Sequence, residues 1–368
     1  FKCEYCEGFY PTDYSLLKDK NGNLHVAEEW YKMIRECPKC VRDNFEQGRS
    51  FADFYRMADK IIERSKEEID ADVLKISGGE VTIYKGLCDF VEKLHNNYPM
   101  IQILSNGSNI TDEDIKRYKQ MGNITFQISL DGVTKEGNYG KSHSETLTKK
   151  VVNTVEKLLD NGLGVEINCV LTNHNTDKLD EFLEHFKDSE GLMIVPRPVR
   201  GEPRTILEPT KDQVEVLEEF IKKNYNKYEN ILPPYSYFEK LIEIMKTNNR
   251  KNNCYIPYFV QSIDGYGNYE MCPIGLFYAD AANIFSEEFN NNSLLVESSY
   301  DINCKNKKCN DCINQYEIFN LFVDDIIGEE ELRRVPSLNN DTIINHIEEV
   351  KQKIKKRYDT NGTINKKN

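Results

Sequence analysis

Between Asp72 and Val195 short apolar runs alternate with longer amphipathic stretches, and this alternation limits the possible folds more than any other feature of the chain. The apolar runs are Asp72–Ser77, Ile101–Ser105, Ile124–Leu130, Val165–Leu171 and Leu192–Val195. Helical periodicity fills the intervals at Gly86–Asn96, Thr111–Met121, Glu145–Asn161 and Thr176–Phe186. Strands separated by such helices pair in parallel through right-handed crossovers, not as hairpins. The expected class is α/β, with the loops after the strands forming the edge on which such sheets place their ligands.

Those loops carry chemistry. Ser77-Gly78-Gly79-Glu80 follows the first run, Ser105-Asn106-Gly107 the second, and Ser129-Leu130-Asp131-Gly132 the third. Two glycines let a ligand approach the backbone closely, and the following acid can accept hydrogen bonds from an ammonium group. Taken alone, each motif is equally well a tight turn with a solvated side chain. Lys141 is the nearest downstream cation, with solvated lysine as the plain alternative, and Asn168 on the next strand either faces the interior or satisfies a neighbouring backbone group.

The 11 cysteines gather as Cys3/Cys6, Cys37/Cys40 and Cys254/Cys272/Cys304/Cys309/Cys312, leaving Cys88 and Cys169 apart. Clusters at metal-ligand spacing, in a chain showing no secretion signal, point to metal binding in a reducing compartment rather than to disulfides. Cys3, Cys6, Cys37 and Cys40 could form one four-thiolate zinc site, and Cys37/Cys40 could equally be a redox pair or buried thiols. Cys254-x12-Gly267-x4-Cys272 brackets an expected hairpin over Ser262–Met271, with Cys304-x4-Cys309-x2-Cys312 further on; structural zinc is the alternative for this group too.

In this order, the motifs resemble the radical S-adenosylmethionine (SAM) superfamily, whose members bind a [4Fe-4S] cluster through C-x3-C-x2-C. The resemblance implies a partial (β/α)6 TIM-like barrel with a small C-terminal cysteine-rich domain of the SPASM or twitch type. It makes Cys3 and Cys6 the second and third cluster ligands; the first ligand and a sixth strand would precede Phe1. Gly78, Gly79 and Glu80 would hold the methionyl amino group. Ser105, Asn106, Ser129, Asp131, Lys141 and Asn168 would lie near the ribose or carboxylate of SAM, although Val81 stands where relatives often carry proline. Cys254, Cys272, Cys309 and Cys312 would ligate one auxiliary [4Fe-4S] cluster, Cys304 being a substitute ligand, a substrate-side thiol or a bystander. The expected division is a barrel over 1–205 with an insertion at about 7–49, a helical linker over 206–250, a cluster domain over 251–330 and a C-terminal helix and tail over 331–368.

The resemblance also implies the activity: reductive cleavage of SAM to a 5′-deoxyadenosyl radical that abstracts hydrogen from a substrate C–H bond. With 21 tyrosines, 17 phenylalanines and the insertion available to hold an extended chain, a ribosomally made peptide or protein side chain is the first expected substrate. Dehydrogenation of a small molecule is the alternative, and a zinc-stabilised binding protein is the alternative from another class. A flavodoxin or ferredoxin is the expected reductant. Cys169, on an expected strand, is a candidate hydrogen-atom donor, with a buried structural thiol as the alternative. Arg197 and Arg200, at the end of the last run, are candidate substrate or cofactor contacts. A formal net charge of -13 opposes a nucleic-acid partner, and no apolar run is long enough for a membrane helix, so a cytoplasmic location is expected.

Overall fold

The computed structural model describes residues 17–18, 24–25, 51–200, 204–263, 268–270, 282–286, 289 and 312–361. They belong to two compact units, one holding 71–259 and the C-terminal segment, the other holding the residues before 71 and those from Val260 onward to 298.

The first unit is built on a sheet of 5 parallel strands in sequential order: β1 (Val73–Ile76), β2 (Met100–Ser105), β3 (Ile124–Ser129), β4 (Gly164–Leu171) and β5 (Leu192–Pro198). The helices connecting them are α1 (Leu87–Leu94), α2 (Asp112–Met121), α3 (Glu145–Asp160) and α4 (Leu179–Phe186). This is the α/β, parallel-sheet arrangement that the alternation implied, and it fits the partial barrel that the resemblance implied. Local signals set the helix starts: Thr111 accepts from the Asp114 N–H while Asp114 reaches back to the Thr111 N–H, and Ser144 caps α3 through the Leu147 N–H.

The two faces of the sheet differ. Ile101, Ile103, Phe126, Ile128, Val165 and Ile167 alternate along β2–β4 and are fully buried. A side chain of this kind contributes about 1.5–3 kcal/mol on burial. Their face meets the helices: a Cβ on Gly107 would lie 3.2 Å from Val151 of α3 and 3.3 Å from Ile128 of β3. Gly107 also has φ of 74°, so the turn after β2 suits glycine for conformation and for space. The intervening residues Gln102, Thr125, Gln127, Glu166 and Asn168 give the other face, the barrel interior, a polar lining. Gln102 Nε2 donates to Glu166 Oε1 at 2.7 Å, and the same oxygen accepts the Ser337 N–H at 3.1 Å. The C-terminal segment thus closes the lower part of that interior.

Strand β5 continues to Pro198, beyond the expected end at Val195. Cys169 pairs with Pro196 and Leu171 with Pro198, and because β5 is the last strand of the sheet, the donors that both prolines lack are not needed by another strand. Helices α5 (Lys211–Tyr228), α6 (Tyr235–Thr247), α7 (Glu317–Val323) and α8 (Asp341–Asn361) complete this unit.

In the second unit, the helix over Phe51–Glu68 and a small antiparallel sheet share a core. Ser262–Ile263 pairs with Asn268–Glu270, the hairpin expected between Cys254 and Cys272, and Ala282–Asn283 adds a strand. Tyr269, Ile284 and Phe289 form the core, with Ile61 and Ile69 packed against it. No helix among the described residues is long and apolar enough to cross a membrane.

Candidate active site

The loops at the C-terminal ends of β1 and β2 converge on one carboxylate. Glu80 Oε1 accepts from the Thr82 N–H at 3.1 Å, the Thr82 hydroxyl at 2.5 Å and the Ser105 hydroxyl at 2.8 Å. Glu80 Oε2 accepts the Asn106 N–H at 2.6 Å. Glu80 begins the 3-10 turn Val81–Ile83 in extended conformation, so its side chain folds back as an N-cap. The Ser105 oxygen also accepts the Gly107 N–H at 3.0 Å. The Asn106 side-chain Oδ1 makes the turn by accepting the Ser108 N–H at 2.8 Å.

All four donors to Glu80 are neutral, so they orient the carboxylate without cancelling its charge. Carboxylate oxygens offer about four acceptor positions, and three of these donors fall on Oε1, leaving Oε2 with capacity for a further donor. Beside it, Gly78 and Gly79 are exposed, and a Cβ on Gly79 would meet nothing within 4 Å. A fixed anion next to open backbone suits a cationic group such as an amino-acid ammonium.

Asp131 and Lys141, both expected near the ligand, are brought to each other. Lys141 Nζ lies 2.6 Å from Asp131 Oδ1, with side-chain exposures of 4% and 1%. The Val170 N–H also donates to that oxygen at 2.7 Å, and Lys141 donates to the Asn168 carbonyl at 3.0 Å. The pair therefore ties the loop after β3 to the end of β4. The loop turns back so tightly that a Cβ on Gly132 would lie 2.7 Å from the Gly137 backbone, and Asn138 accepts the Asp131 N–H at 3.0 Å.

Ser129 ends β3 in register with Asn168 of β4. Asn168 is 8% exposed, and its Oδ1 is buried with no hydrogen-bond partner among the described residues. Cys169, the adjacent residue, lies on the opposite face of the strand, the one shared with Val165 and Ile167. It is fully buried, its thiol is 3.8 Å from the Asp131 carbonyl oxygen, and burial, then the Asp131 charge, pushes its pKa up.

Of the expected cluster ligands, Cys254 and Cys312 are described; Cys3, Cys6, Cys37, Cys40, Cys272, Cys304 and Cys309 lie outside the described residues. Among the described residues no three His, Cys, Asp or Glu side chains converge as a metal site. Cys254 and Cys312 are close enough for the charge of Cys312 to act on Cys254, whose thiol is pushed up to about 12, mainly by burial. Arg250 joins this neighbourhood by donating to the Cys312 carbonyl at 2.6 Å and to Glu317 at 2.5 Å. Sequence reasoning missed Thr82, Arg250, Asn314 and Glu317. For Thr82 a signal existed: an acid two residues before a threonine, at a strand end, can cap the turn between them.

Curated relatives cover parts of the chain. It is 25% identical over 111 residues to the sporulation killing factor maturation protein SkfB of Bacillus subtilis, covering 30% of this chain and 27% of that protein. It is 31% identical over 134 residues to the GTP 3′,8-cyclase of Helicobacter pylori, covering 35% and 41%. The chain thus spans less than half the length of either relative. Streptococcus suis SuiB, solved with its precursor peptide SuiA, superposes with a TM-score of 0.50 at 15% identity, over 66% of this chain and 58% of that one, which supports the fold. The model of the radical SAM superfamily matches residues 1–187, a span that takes in the glycine-rich turn, the Glu80 cradle and the first four strands of the sheet. The chain belongs to the radical SAM superfamily.

Proposed function

We propose that the protein binds SAM at the C-terminal edge of its sheet and uses radical chemistry to modify a ribosomally made peptide or a protein side chain. The observation that carries the proposal is the Glu80 cradle: an oriented, uncancelled carboxylate beside two exposed glycines. When bound, SAM and a [4Fe-4S] cluster supply a 5′-deoxyadenosyl radical that removes hydrogen from a substrate C–H bond.

The residues of this chain hold and orient. Gly78 and Gly79 admit the methionyl end of SAM, and Glu80 accepts its ammonium. Thr82, Ser105 and Asn106 act through Glu80. Ser129 and Asn168 face the ribose, with Asn168 Oδ1 accepting a ribose hydroxyl in place of the partner it lacks among the described residues. Asp131 and Lys141 fix the loop after β3 against the end of β4. Cys3 and Cys6 belong to the SAM cluster. Cys254, Cys272, Cys309 and Cys312 belong to one auxiliary cluster, with Cys304 a substitute ligand, a substrate-side thiol or a bystander, and Cys37 and Cys40 are left without a role. A flavodoxin- or ferredoxin-type protein would deliver the electron.

A peptide substrate is supported by the likeness to SkfB, a maturation protein, and to SuiB, seen with a precursor peptide. The likeness to a GTP cyclase favours a nucleotide instead, but a net charge of -13 repels a triphosphate unless a local basic pocket offsets it. The test uses anaerobically reconstituted protein with SAM and dithionite. Equimolar 5′-deoxyadenosine and methionine are expected, and deuterium should enter 5′-deoxyadenosine from a deuterated peptide. Deuterium transfer from labelled GTP alone would select the nucleotide reading, and zinc without iron or SAM cleavage would leave a zinc-stabilised binding protein.

A further inference from the structure

Among the described residues, two N–H donors are aimed at the sulfur of Cys312. Arg200 Nη1 lies at 3.6 Å and Asn314 Nδ2 at 3.7 Å. Asn314 is held for this role by its own Oδ1, which accepts the Tyr316 N–H at 2.9 Å. Arg200 arrives from the segment leaving β5, where Val199 is tied to the sheet by its N–H to the Leu171 carbonyl at 3.2 Å. Both donors therefore come from anchored backbone. Close by, Arg250 and Glu317 form an ion pair with side-chain exposures of 6% and 2%, so their charges largely offset one another.

A neutral thiol gains little from such surroundings, because its sulfur is a weak acceptor. A sulfur bearing negative charge gains a great deal, since a guanidinium supplies a charge-assisted donor and a cation together. The donor set around Cys312 therefore suits an electron-rich, metal-bound sulfur.

We propose that Arg200, assisted by Asn314, raises the reduction potential of the iron–sulfur cluster held through Cys312, making that cluster a better electron acceptor. The proposal rests on the auxiliary-cluster reading above. The couple takes up one electron, so the reduced cluster carries one more negative charge than the oxidised one. N–H donors to sulfur and nearby positive charge stabilise that form preferentially. Arg200 is thus a positioning and tuning residue, not a catalytic one.

The test is a reductive titration of the full chain, reconstituted with iron and sulfide and followed by electron paramagnetic resonance. Cys3→Ala and Cys6→Ala are included so that one cluster is read. Arg200→Met should keep its iron and sulfide and titrate at lower potential. Poised at the midpoint of the Arg200 protein, it should show at least a tenfold higher ratio of oxidised to reduced cluster, a shift of about 59 mV for a one-electron couple. Arg200→Lys, which keeps the charge but not the planar fork, should fall between, and it serves if Arg200→Met loses iron. An unchanged midpoint with iron retained, in whichever of the two variants keeps the cluster, overturns the proposal. Failure of the underlying reading looks different: the Cys3→Ala/Cys6→Ala protein itself would hold no iron, or would hold as much after Cys254→Ala and Cys312→Ala as before.

Discussion

Two carboxylates at strand ends of one sheet are handled in opposite ways. Glu80 is half-buried and held by hydroxyl and backbone N–H donors from Thr82, Ser105 and Asn106. Asp131 is almost completely enclosed and faces the Lys141 ammonium at 2.6 Å. Neutral donors fix the position of a charge and leave it available, whereas a buried counter-ion offsets it. Both residues sit in loops that the family resemblance associates with SAM. On the proposed reading, the contrast separates a binding group, Glu80, from a positioning one, Asp131.

The largest expected effect breaks the tie. Lys141→Met leaves Asp131 buried without its cation and should cost about 3–5 kcal/mol of stability, measured by denaturant unfolding. Adding Asp131→Asn should recover part of that loss, because the stranded charge is removed. A loss below about 1 kcal/mol would place the pair in solvent and erase the contrast.

The next effect concerns Glu80. Glu80→Gln removes the charge and keeps the shape, so SAM should bind roughly 10- to 150-fold more weakly, the equivalent of losing about 1.5–3 kcal/mol from a hydrogen bond to a charged group. Unfolding should change far less than in Lys141→Met. A smaller effect sharpens the account of how Glu80 is aimed. Thr82→Val should weaken SAM binding roughly two- to tenfold, less than Glu80→Gln because Thr82 acts only through Glu80, and Thr82→Ser should restore it.

The smallest effect reports on the closed side. Burial and Asp131 raise the Cys169 thiol above its ordinary value of 9.0, so at pH 9 it keeps its proton in the folded protein while an unfolded chain is half ionised. Iodoacetamide at pH 9 should label Cys169 in denatured protein and spare it in native protein, as read by peptide mass. Because the folded form holds this proton more tightly, its contribution to stability is intact below pH 9 and is lost as pH rises beyond it.

Much of the sheet was legible because apolar runs, helical periods and caps such as Thr111 and Ser144 all agree locally. The exception at Pro196 and Pro198 follows from topology, since only a place at the sheet's end makes those prolines tolerable. Within the site, Glu80, Ser105 and Asn106 were legible as neighbours, but Ser105 and Asn106 proved to act on Glu80. The Asp131–Lys141 tie was not legible as a pair, because the close approach of Gly132 and Gly137 that folds the loop back is a fact of space. Arg200 and Cys312 stand 112 positions apart, and only the tertiary fold brings them together.

The most direct test of the central claim is the dissociation constant of SAM, by equilibrium dialysis, for the reconstituted wild-type protein beside Glu80→Gln and Asp131→Asn/Lys141→Met. The account predicts that Glu80→Gln loses at least tenfold in affinity, whereas the double variant, to the extent that it folds, stays within a few-fold of wild type. Equal affinities for wild type and Glu80→Gln, with the loss falling on the double variant, would contradict it.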